Sequence, residues 1–261
     1  MILRNLSRGR AIDAPVALVV AHPDDETLGA GARMACLHNL TLIHLSDGAP
    51  RTSRADDAQV RRDVAWLRAQ ELNNALEALQ VRPQRRIAYG WRDQELVRHL
   101  PEIVSSLRDD LARVAAVMTH AYEHAHPDHD TAAFAVHVAC AQLAAAGMPV
   151  SIIEFPSYHL GRSGACFGTF WHDPRCLEWI AVLDARERER KAHALACFES
   201  QREMLRNFPV DTERFRRAPD YDFTQPAPPP GAWYDARGWP IDSRAWLKLA
   251  RRSLRSIRRA A

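Results

Sequence analysis

The sequence predicts a three-layer α/β/α fold, in which a mostly parallel sheet lies between helices on both faces. Short apolar runs of strand length alternate with segments of helical length, which is the pattern of parallel strands joined by crossover helices. The first run, residues 16–21, is continuous and largely β-branched, as expected of a strand buried on both faces. The chain has 261 residues, enough for one large domain of this Rossmann-like kind.

The predicted elements follow one another regularly up to residue 205. Strands are predicted at residues 16–21, 40–45, 86–89, 115–119 and 150–155. Helices are predicted at about 27–38, 55–79, 94–111 and 131–146, and a further helix rich in Arg and Glu at about 184–204. We therefore expect the main domain to span residues 1–205.

Composition changes after this domain. Residues 206–243 contain seven of the 16 prolines, together with Trp233, Tyr234 and Trp239. Proline at this density is incompatible with a regular helix or a central strand. The aromatic residues argue against a disordered linker, so we expect an irregular segment packed on the domain.

Residues 244–261 are predicted to form a basic amphipathic helix. They contain seven Arg or Lys residues and no acid, and removing these charges from the net +3 leaves −4 on residues 1–243. An apolar stripe runs along one side of this helix, at Trp246, Leu247, Ala250, Leu254 and Ile257. Two interpretations are open: the stripe lies on an anionic membrane, as a peripheral contact, or it packs on the protein's own domain.

Charge and cysteine usage exclude several function classes. The domain itself is mildly acidic, so nucleic-acid binding by the whole domain is not expected. The five cysteines are scattered and form no C-x-x-C pair, which argues for reduced thiols and against a cysteine zinc site. No apolar run is long enough for a membrane span, and the first ten residues lack a secretory signal. We therefore expect a cytoplasmic protein.

The first cluster of chemistry-bearing residues is His22-Pro23-Asp24-Asp25-Glu26. It follows the first predicted strand and precedes a helix. Ligands of open parallel sheets bind at the carboxyl ends of the strands. A role in capping the N-terminus of the helix would explain one aspartate. It does not explain a histidine together with three consecutive acidic residues.

The second cluster, residues 123–130, has the sequence EHAHPDHD and follows the strand at 115–119. Histidine and aspartate are rarely gathered in a structural core. Neutral imidazole and carboxylate are the ligands of catalytic zinc sites, which keep one position open for water. The same ligands form the facial arrangement used by ferrous iron, so Zn²⁺ is predicted with Fe²⁺ as the alternative.

These two elements, AHPDDE at residues 21–26 and HPDH at residues 126–129, resemble the PIG-L/LmbE-like family of metal-dependent N-deacetylases. The resemblance implies an amide hydrolase that removes an acetyl group from an amino sugar, such as an N-acetylglucosamine derivative. It also implies that His22, Asp25 and His129 hold the metal ion.

The resemblance further implies three residues that take part in catalysis. Asp24 matches the general base, which takes a proton from the attacking water. His126 matches the histidine that stabilises the oxyanion and protonates the leaving amine, and Asp128 matches an orienting carboxylate. Amide hydrolysis needs both a base and an acid, because the amine leaves only when protonated.

Three further residues are candidates for substrate binding. Arg51 follows the second strand, and a basic residue there can meet a substrate phosphate or hydroxyl group; a solvated surface arginine is the alternative. Asp93 follows the third strand, where relatives carry a sugar-contacting aspartate. His124 stands where some relatives carry tyrosine and others glycine, and it either stabilises the oxyanion, shapes the pocket or lies on a mobile loop.

The substrate class remains broad at this stage. A small-molecule or lipid-linked N-acetylated sugar is expected, and the sequence makes no prediction of the oligomeric state. Gly29-Ala30-Gly31 opens a helix after a strand, so a nucleotide- or phosphate-binding module is an alternative. The dinucleotide-binding pattern would need a glycine at position 34, however, where this chain has Met34. The carboxylates that precede Gly29 would also repel a pyrophosphate. A non-catalytic metal-binding member of the family is a third hypothesis.

Overall fold

A seven-stranded sheet forms the centre of the computed structural model, which describes residues 1–50 and 58–260. The strands are β1 (Val16–Val20), β2 (Leu40–Pro50), β3 (Arg85–Asp93), β4 (Ala116–His120), β5 (Ser151–Phe155), β6 (Tyr158–Gly161), β7 (Gly164–Phe167), β8 (Glu178–Val182) and β9 (Thr212–Arg217). Of these, β6 and β7 form a separate hairpin, and the others form the sheet. The sheet order is β3-β2-β1-β4-β5-β9-β8, in which β1 to β5 are parallel and β9 pairs antiparallel with β5 and β8.

Helices cover both faces of this sheet. They are α1 (Ile2–Ser7), α2 (Asp25–Met34), α3 (Ala58–Ala78), α4 (Leu100–Leu111), α5 (Pro127–Ala145), α6 (Ala185–Ala196), α7 (Arg202–Leu205) and α8 (Ser243–Ala260). Alternate residues of β1 face two separate cores, because successive side chains of a strand point to opposite faces. One core includes residues of α1, α2, α3 and α6, and the other includes residues of α4, α5 and α8. The predicted three-layer fold class is confirmed.

The C-terminal half adds strands that the sequence pattern did not indicate. β6, β7 and β8 lie between residues 158 and 182, where no strand was predicted. β9 lies inside the segment predicted to be irregular, and it occupies an interior position in the sheet. The prediction of an irregular segment is wrong for residues 212–217. These six residues contain no proline, since the flanking prolines are Pro209 and Pro219, and they are free to form a strand.

The strand order reverses between β1 and β4. β2 and β3 extend the sheet on one side of this pair, and β5 extends it on the other. The connections after β1 and β4 leave toward opposite sides of the sheet, which opens a crevice at the carboxyl ends of the two strands. The HPDDE and HPDH motifs follow these two strands, so the topology places both at that crevice.

A buried ion pair supports the helix that follows β1. The backbone of α2 is not helical at Ala30, and the N–H groups of Ala32 and Arg33 donate instead to the carboxylate of Glu213, at 2.8 and 3.1 Å. Nζ of Lys191 donates to the same carboxylate at 2.9 Å and to the carbonyl oxygen of Leu28 at 3.0 Å. Residues of β9 and α6 thereby fix the helix that carries Asp25.

Packing between α2 and β5 explains the glycine at position 29 without a bound phosphate. A Cβ atom at this position would lie 2.1 Å from the ring of Phe155, so only glycine lets α2 approach β5 this closely. This packing explains the first glycine of the Gly29-Ala30-Gly31 stretch.

The C-terminal helix α8 packs on the domain. Trp246 is only 1% exposed, and its indole N–H donates to the carbonyl oxygen of Pro127 and to Oγ1 of Thr131, both at 3.0 Å. Ala250, Leu254 and Ile257 of the apolar stripe also face this core, whereas Leu247 is only partly buried and is not part of it. Apart from Ser256, the exposed positions are basic, at Arg244, Lys248, Arg251, Arg252, Arg255 and Arg259. Most of the apolar stripe is thus covered by the protein itself. Across the described parts of the chain, no helix combines the length and the apolar character needed to cross a membrane.

Candidate metal centre

The HPDDE and HPDH motifs meet at a single carboxylate. Oδ2 of Asp25 lies 3.2 Å from Nδ1 of His22, and Oδ1 lies 3.2 Å from Nε2 of His129. These three residues are between 3% and 6% exposed. The structure therefore brings together the three residues expected to hold the metal ion.

The cluster offers two imidazoles and one carboxylate to a divalent metal ion. Ring nitrogens of His22 and His129 lie within 4.8 Å of each other, and an oxygen of Asp25 lies within the same distance of a ring nitrogen of His129. Nδ1 of His129 is buried and has no hydrogen-bond partner in the described structure, so it is free for another interaction. Imidazole nitrogen and carboxylate oxygen are the ligands that zinc takes in catalytic sites.

Hydrogen bonds distinguish the set of His22, Asp25 and His129 from three overlapping groups of potential ligands among the described residues, which are His22-His126-His129, Asp25-His120-His129 and His22-Asp93-His126-Asp128. Nδ1 of His126 accepts the backbone N–H of Asp128 at 3.1 Å, so this nitrogen is already used. Nε2 of His120 accepts the backbone N–H of Ala21 at 3.1 Å, so its lone pair is already used. Both carboxylate oxygens of Asp128 accept backbone N–H groups, from Gln94 at 2.6 Å and Leu96 at 3.2 Å. The set formed by His22, Asp25 and His129 contains none of these residues.

Asp24 faces the same cavity as the cluster. It precedes α2 with a positive φ of 136°, a backbone conformation that Asp and Asn tolerate better than most residues. Its Oδ2 accepts a hydrogen bond from Nη2 of Arg68 at 3.0 Å. Burial raises the pKa of Asp24 to about 8, although the charge of Arg68 opposes this shift. The carboxylate of Asp24 therefore lies beside the cluster, where Arg68 holds it in place.

The tautomer of His126 follows from one backbone contact. His126 precedes Pro127 in extended backbone, and Nδ1 accepts the N–H of Asp128 at 3.1 Å. Because Nδ1 is an acceptor, the proton of the neutral ring lies on Nε2. Burial and the neighbouring His22 lower the pKa of His126 well below its usual range, so the ring is neutral. His126 therefore presents an N–H donor on the side that faces Asp93.

Asp128 and Asp93 both contact His22. Nε2 of His22 lies 2.9 Å from Oδ1 of Asp93 and 3.3 Å from Oδ2 of Asp128. Burial lowers the pKa of His22, but Asp93 and Asp128 outweigh this effect and raise the pKa well above its usual value. Asp128 thus orients the first histidine of the cluster, and Asp93 lies inside the site.

His124, another substrate-binding candidate, is not brought to the cluster. His124 is not among the residues that line the cavity within the described chain. Its ring instead lies against Tyr122 at 4.2 Å and Trp171 at 6.1 Å, and its backbone N–H donates to Asp130. Arg51 lies outside the described residues.

Two residues of the site were missed by sequence reasoning. Arg68 is 3% exposed and comes from the middle of α3, where a single arginine carries no signal of function. His120 is fully buried and ends β4, so the rule that ligands bind at strand ends could have found it. Its ring stacks on that of His129 at 4.1 Å, with 14° between the planes.

The contacts of His120 define its state. Nε2 accepts the N–H of Ala21, so Nδ1 carries the proton and donates to Oγ of Ser157 at 3.0 Å. Burial lowers the pKa of His120 to about 4, in agreement with a neutral ring. His120 is therefore fixed on both sides, and it holds the ring of His129 in place.

We expect His120→Gln to weaken metal binding by about 10–100-fold, as loss of a group that orients a metal ligand typically does. The glutamine keeps an acceptor for Ala21 but loses the stacking on His129. The measurement is a competition titration of zinc against a chelator, with His38→Ala as a control because His38 is exposed and does not line the cavity. Unchanged zinc affinity would show that His120 only fills space.

A cavity of about 210 Å³ opens over the cluster. Its floor is polar and includes Asp24, Asp93 and His126, whereas its walls include Tyr158, Phe208 and Trp239. The ring of Trp239 lies 4.6 Å from that of His126. A small polar group entering this cavity would meet Asp24 and His126 together.

Comparison with known proteins agrees with the motifs. Residues 17–140 match the family model described as PIG-L: GlcNAc-PI de-N-acetylase. This range contains both motifs and, apart from Val16 at the start of β1, the strands β1 to β4 that position them. The resemblance to the PIG-L family inferred from the sequence is thereby confirmed over this part of the chain.

Solved structures share the fold at low sequence identity. The teicoplanin deacetylase Orf2, solved in a zinc-inhibited form, is 15% identical with a TM-score of 0.56, over 80% of this chain and 100% of Orf2. The N,N'-diacetylchitobiose deacetylase of Pyrococcus horikoshii is 19% identical with a TM-score of 0.55, over 83% of this chain and 87% of its own. The A40926 pseudoaglycone deacetylase Dbv21 is 16% identical with a TM-score of 0.54, over 79% of this chain and 97% of Dbv21. Curated protein sequences give no match.

Proposed function

We propose that this protein is a metal-dependent hydrolase that removes an acetyl group from an N-acetylated amino sugar or its conjugate. One observation carries the proposal: Asp25 lies between His22 and His129 at 3.2 Å from each, and Asp24 and His126 line the same cavity. The match of residues 17–140 to the PIG-L family model and the likeness in fold to solved deacetylases support the same reaction.

A divalent metal ion held by His22, Asp25 and His129 would supply Lewis acidity toward the amide carbonyl and lower the pKa of water. Zn²⁺ is our assignment, with Fe²⁺ as the alternative, because both accept two imidazoles and a carboxylate. The remaining steps belong to side chains of the chain itself.

The protein groups needed for amide hydrolysis are arranged around the cavity. Asp24 accepts a proton from the attacking water, and Arg68 holds its carboxylate at 3.0 Å in one orientation. His126 donates a hydrogen bond from Nε2 to the developing oxyanion. Because a neutral ring that lost this proton would become an imidazolate, the leaving amine is protonated by Asp24, which passes on the proton that it took from the water. Asp128 keeps His22 oriented, and Asp93 lies close enough to accept a hydrogen bond from a sugar hydroxyl.

Release of acetate tests this function. The purified, zinc-loaded protein is incubated with N-acetylglucosamine, N,N'-diacetylchitobiose and N-acetylglucosaminyl conjugates, and acetate is measured enzymatically. We expect acetate to form together with a product lighter by one acetyl group. Retained zinc with no acetate from the whole panel would favour a non-catalytic metal-binding member of the family. Nucleotide binding without a bound metal would favour the phosphate-binding alternative.

We propose a cytoplasmic location for the reaction. All five cysteines are free thiols in the structure, as is usual in a reducing compartment. Peripheral contact with an anionic membrane rests on the exposed basic face of α8, because most of the apolar stripe already packs against the domain.

We expect Arg252→Gln/Arg255→Gln to reduce sedimentation with anionic vesicles at low salt. Each basic residue near an anionic surface contributes about 1 kcal/mol, and both side chains are exposed, so the helix stays docked. Arg186→Gln/Arg188→Gln is the matched control, since these arginines are equally exposed on α6. Equal sedimentation of wild type and both variants would exclude a membrane role for the α8 face.

A further inference from the structure

A second cavity adjoins the one over the metal centre. It has a volume of about 570 Å³, against about 210 Å³ for the inner cavity. Gln201 and Met204 line both cavities, so the two share a wall. Ligand sites for drug-sized molecules typically occupy about 300–1,000 Å³. The inner cavity alone is below this range, and it reaches the range only together with the outer one.

A row of aromatic rings joins the two cavities. Tyr158 packs against His129 with the ring centroids 5.5 Å apart, and it packs edge-to-face on Trp233 at 5.1 Å. Trp233 in turn meets Phe167 at 5.7 Å. Tyr158 lines the inner cavity, whereas Trp233 and Phe167 line the outer cavity. A ligand can therefore follow one continuous aromatic wall from the metal centre outward.

The outer cavity contains an arginine with no carboxylate partner. The guanidinium of Arg237 lies over the ring of Trp233, 5.4 Å from its centroid, and forms no ion pair with any carboxylate of the described residues. The nearby carboxylate of Asp235 is occupied by the backbone N–H and the hydroxyl of Ser243, each at 2.7 Å. Arg206, the other arginine of the cavity, pairs with Glu203 at 3.9 Å. Among the described residues that line the outer cavity, Arg237 is therefore the arginine available to a ligand.

We propose that the outer cavity binds a second unit of the substrate, whose anionic group is bound by Arg237 and whose flat face lies on Trp233. This inference rests on the proposed deacetylase function and names its substrate class: an N-acetylated amino sugar joined to a negatively charged unit. A phosphate or a carboxylate satisfies the same chemistry, because the planar guanidinium binds both with two parallel hydrogen bonds. Arg237 and Trp233 lie outside the matched range 17–140, so this selectivity belongs to the C-terminal segment.

Three substrates of two-unit length test the proposal. UDP-N-acetylglucosamine carries a diphosphate, N-acetylglucosamine joined to glucuronate carries a carboxylate, and N,N'-diacetylchitobiose is neutral. The readout is the ratio of kcat/KM for each anionic substrate to that for chitobiose, measured with the zinc-loaded enzyme. General damage to the fold lowers all three values together and leaves the ratio unchanged.

We expect at least one anionic substrate to be preferred, and Arg237→Gln to lower its ratio by about tenfold or more, the usual effect of losing a charge-assisted hydrogen bond. Whichever of the two anionic substrates shows the fall identifies phosphate or carboxylate as the group bound. Arg186→Gln removes the same charge from α6, outside both cavities, and we expect it to leave the ratio at the wild-type value. The same ratio in wild type and Arg237→Gln would overturn the proposal.

Failure of the outer cavity and failure of the proposed function give different results. If none of the three compounds releases acetate, the deacetylase proposal fails, and calorimetry of the same compounds with the zinc-loaded protein still tests the outer cavity. Binding of an anionic compound that Arg237→Gln weakens about tenfold supports the site. Equal or undetectable binding in both proteins overturns it.

Discussion

Asp24→Asn lowers kcat by about 10²–10⁴-fold and leaves metal content unchanged, because the amide keeps the shape of the side chain but accepts no proton. Asparagine also tolerates the positive φ of 136° at this position, so the start of α2 is preserved. The contact with Nη2 of Arg68 is retained through the amide oxygen. Steady-state kinetics and metal analysis of the same preparation measure both effects.

The control for this variant is Asp109→Asn. It makes the same chemical change at an exposed position of α4 and should keep the wild-type rate. Wild-type turnover in Asp24→Asn would mean that Asp24 is a helix cap, and another base would then be needed. A loss of metal together with activity would instead make Asp24 a ligand.

Asp25→Ala and His129→Ala lower the bound metal from about one ion per chain to a small fraction, because either change leaves only two protein ligands. Asp25 has the larger effect, since its carboxylate contacts both His22 and His129. Atomic absorption after dialysis against metal-free buffer gives the stoichiometry, and circular dichroism checks that the variants are folded.

The matched control for the histidine variant is His38→Ala, which removes an exposed ring paired with Asp13. It should bind metal as the wild type does. An Asp25→Ala or His129→Ala protein that still held one equivalent at the native site would remove that residue from the ligand set. The contrast with Asp24→Asn, which loses rate but keeps metal, separates ligand from base.

The sequence predicts much of this site because its signals are local. A histidine and acids directly after β1, and again after β4, identify two strand ends that adjoin in the sheet. That neighbourhood brings Asp25 to His129, although the two residues come from different motifs. The parallel core followed from the continuous apolar strands in the same way.

The remaining features depend on contacts between distant parts of the chain. Arg68 reaches Asp24 across 44 positions, from a helix whose sequence gives no hint of function. Asp128 and Asp93 converge on His22 only because the connection after β3 closes over the start of α5. Trp233, Trp239 and Arg237 lie in a proline-rich segment without periodicity, and only the fold reveals which of them face the cavities.

In the proposed enzyme, His22, Asp25 and His129 together hold one metal ion. Anomalous diffraction at the zinc absorption edge, from crystals of the zinc-loaded protein, locates that ion directly. We expect one peak about 2.0–2.2 Å from a ring nitrogen of His22, an oxygen of Asp25 and a ring nitrogen of His129. A peak coordinated instead by Asp93, His126 and Asp128, or no peak at this crevice, would contradict the assignment of His22, Asp25 and His129 as the metal ligands.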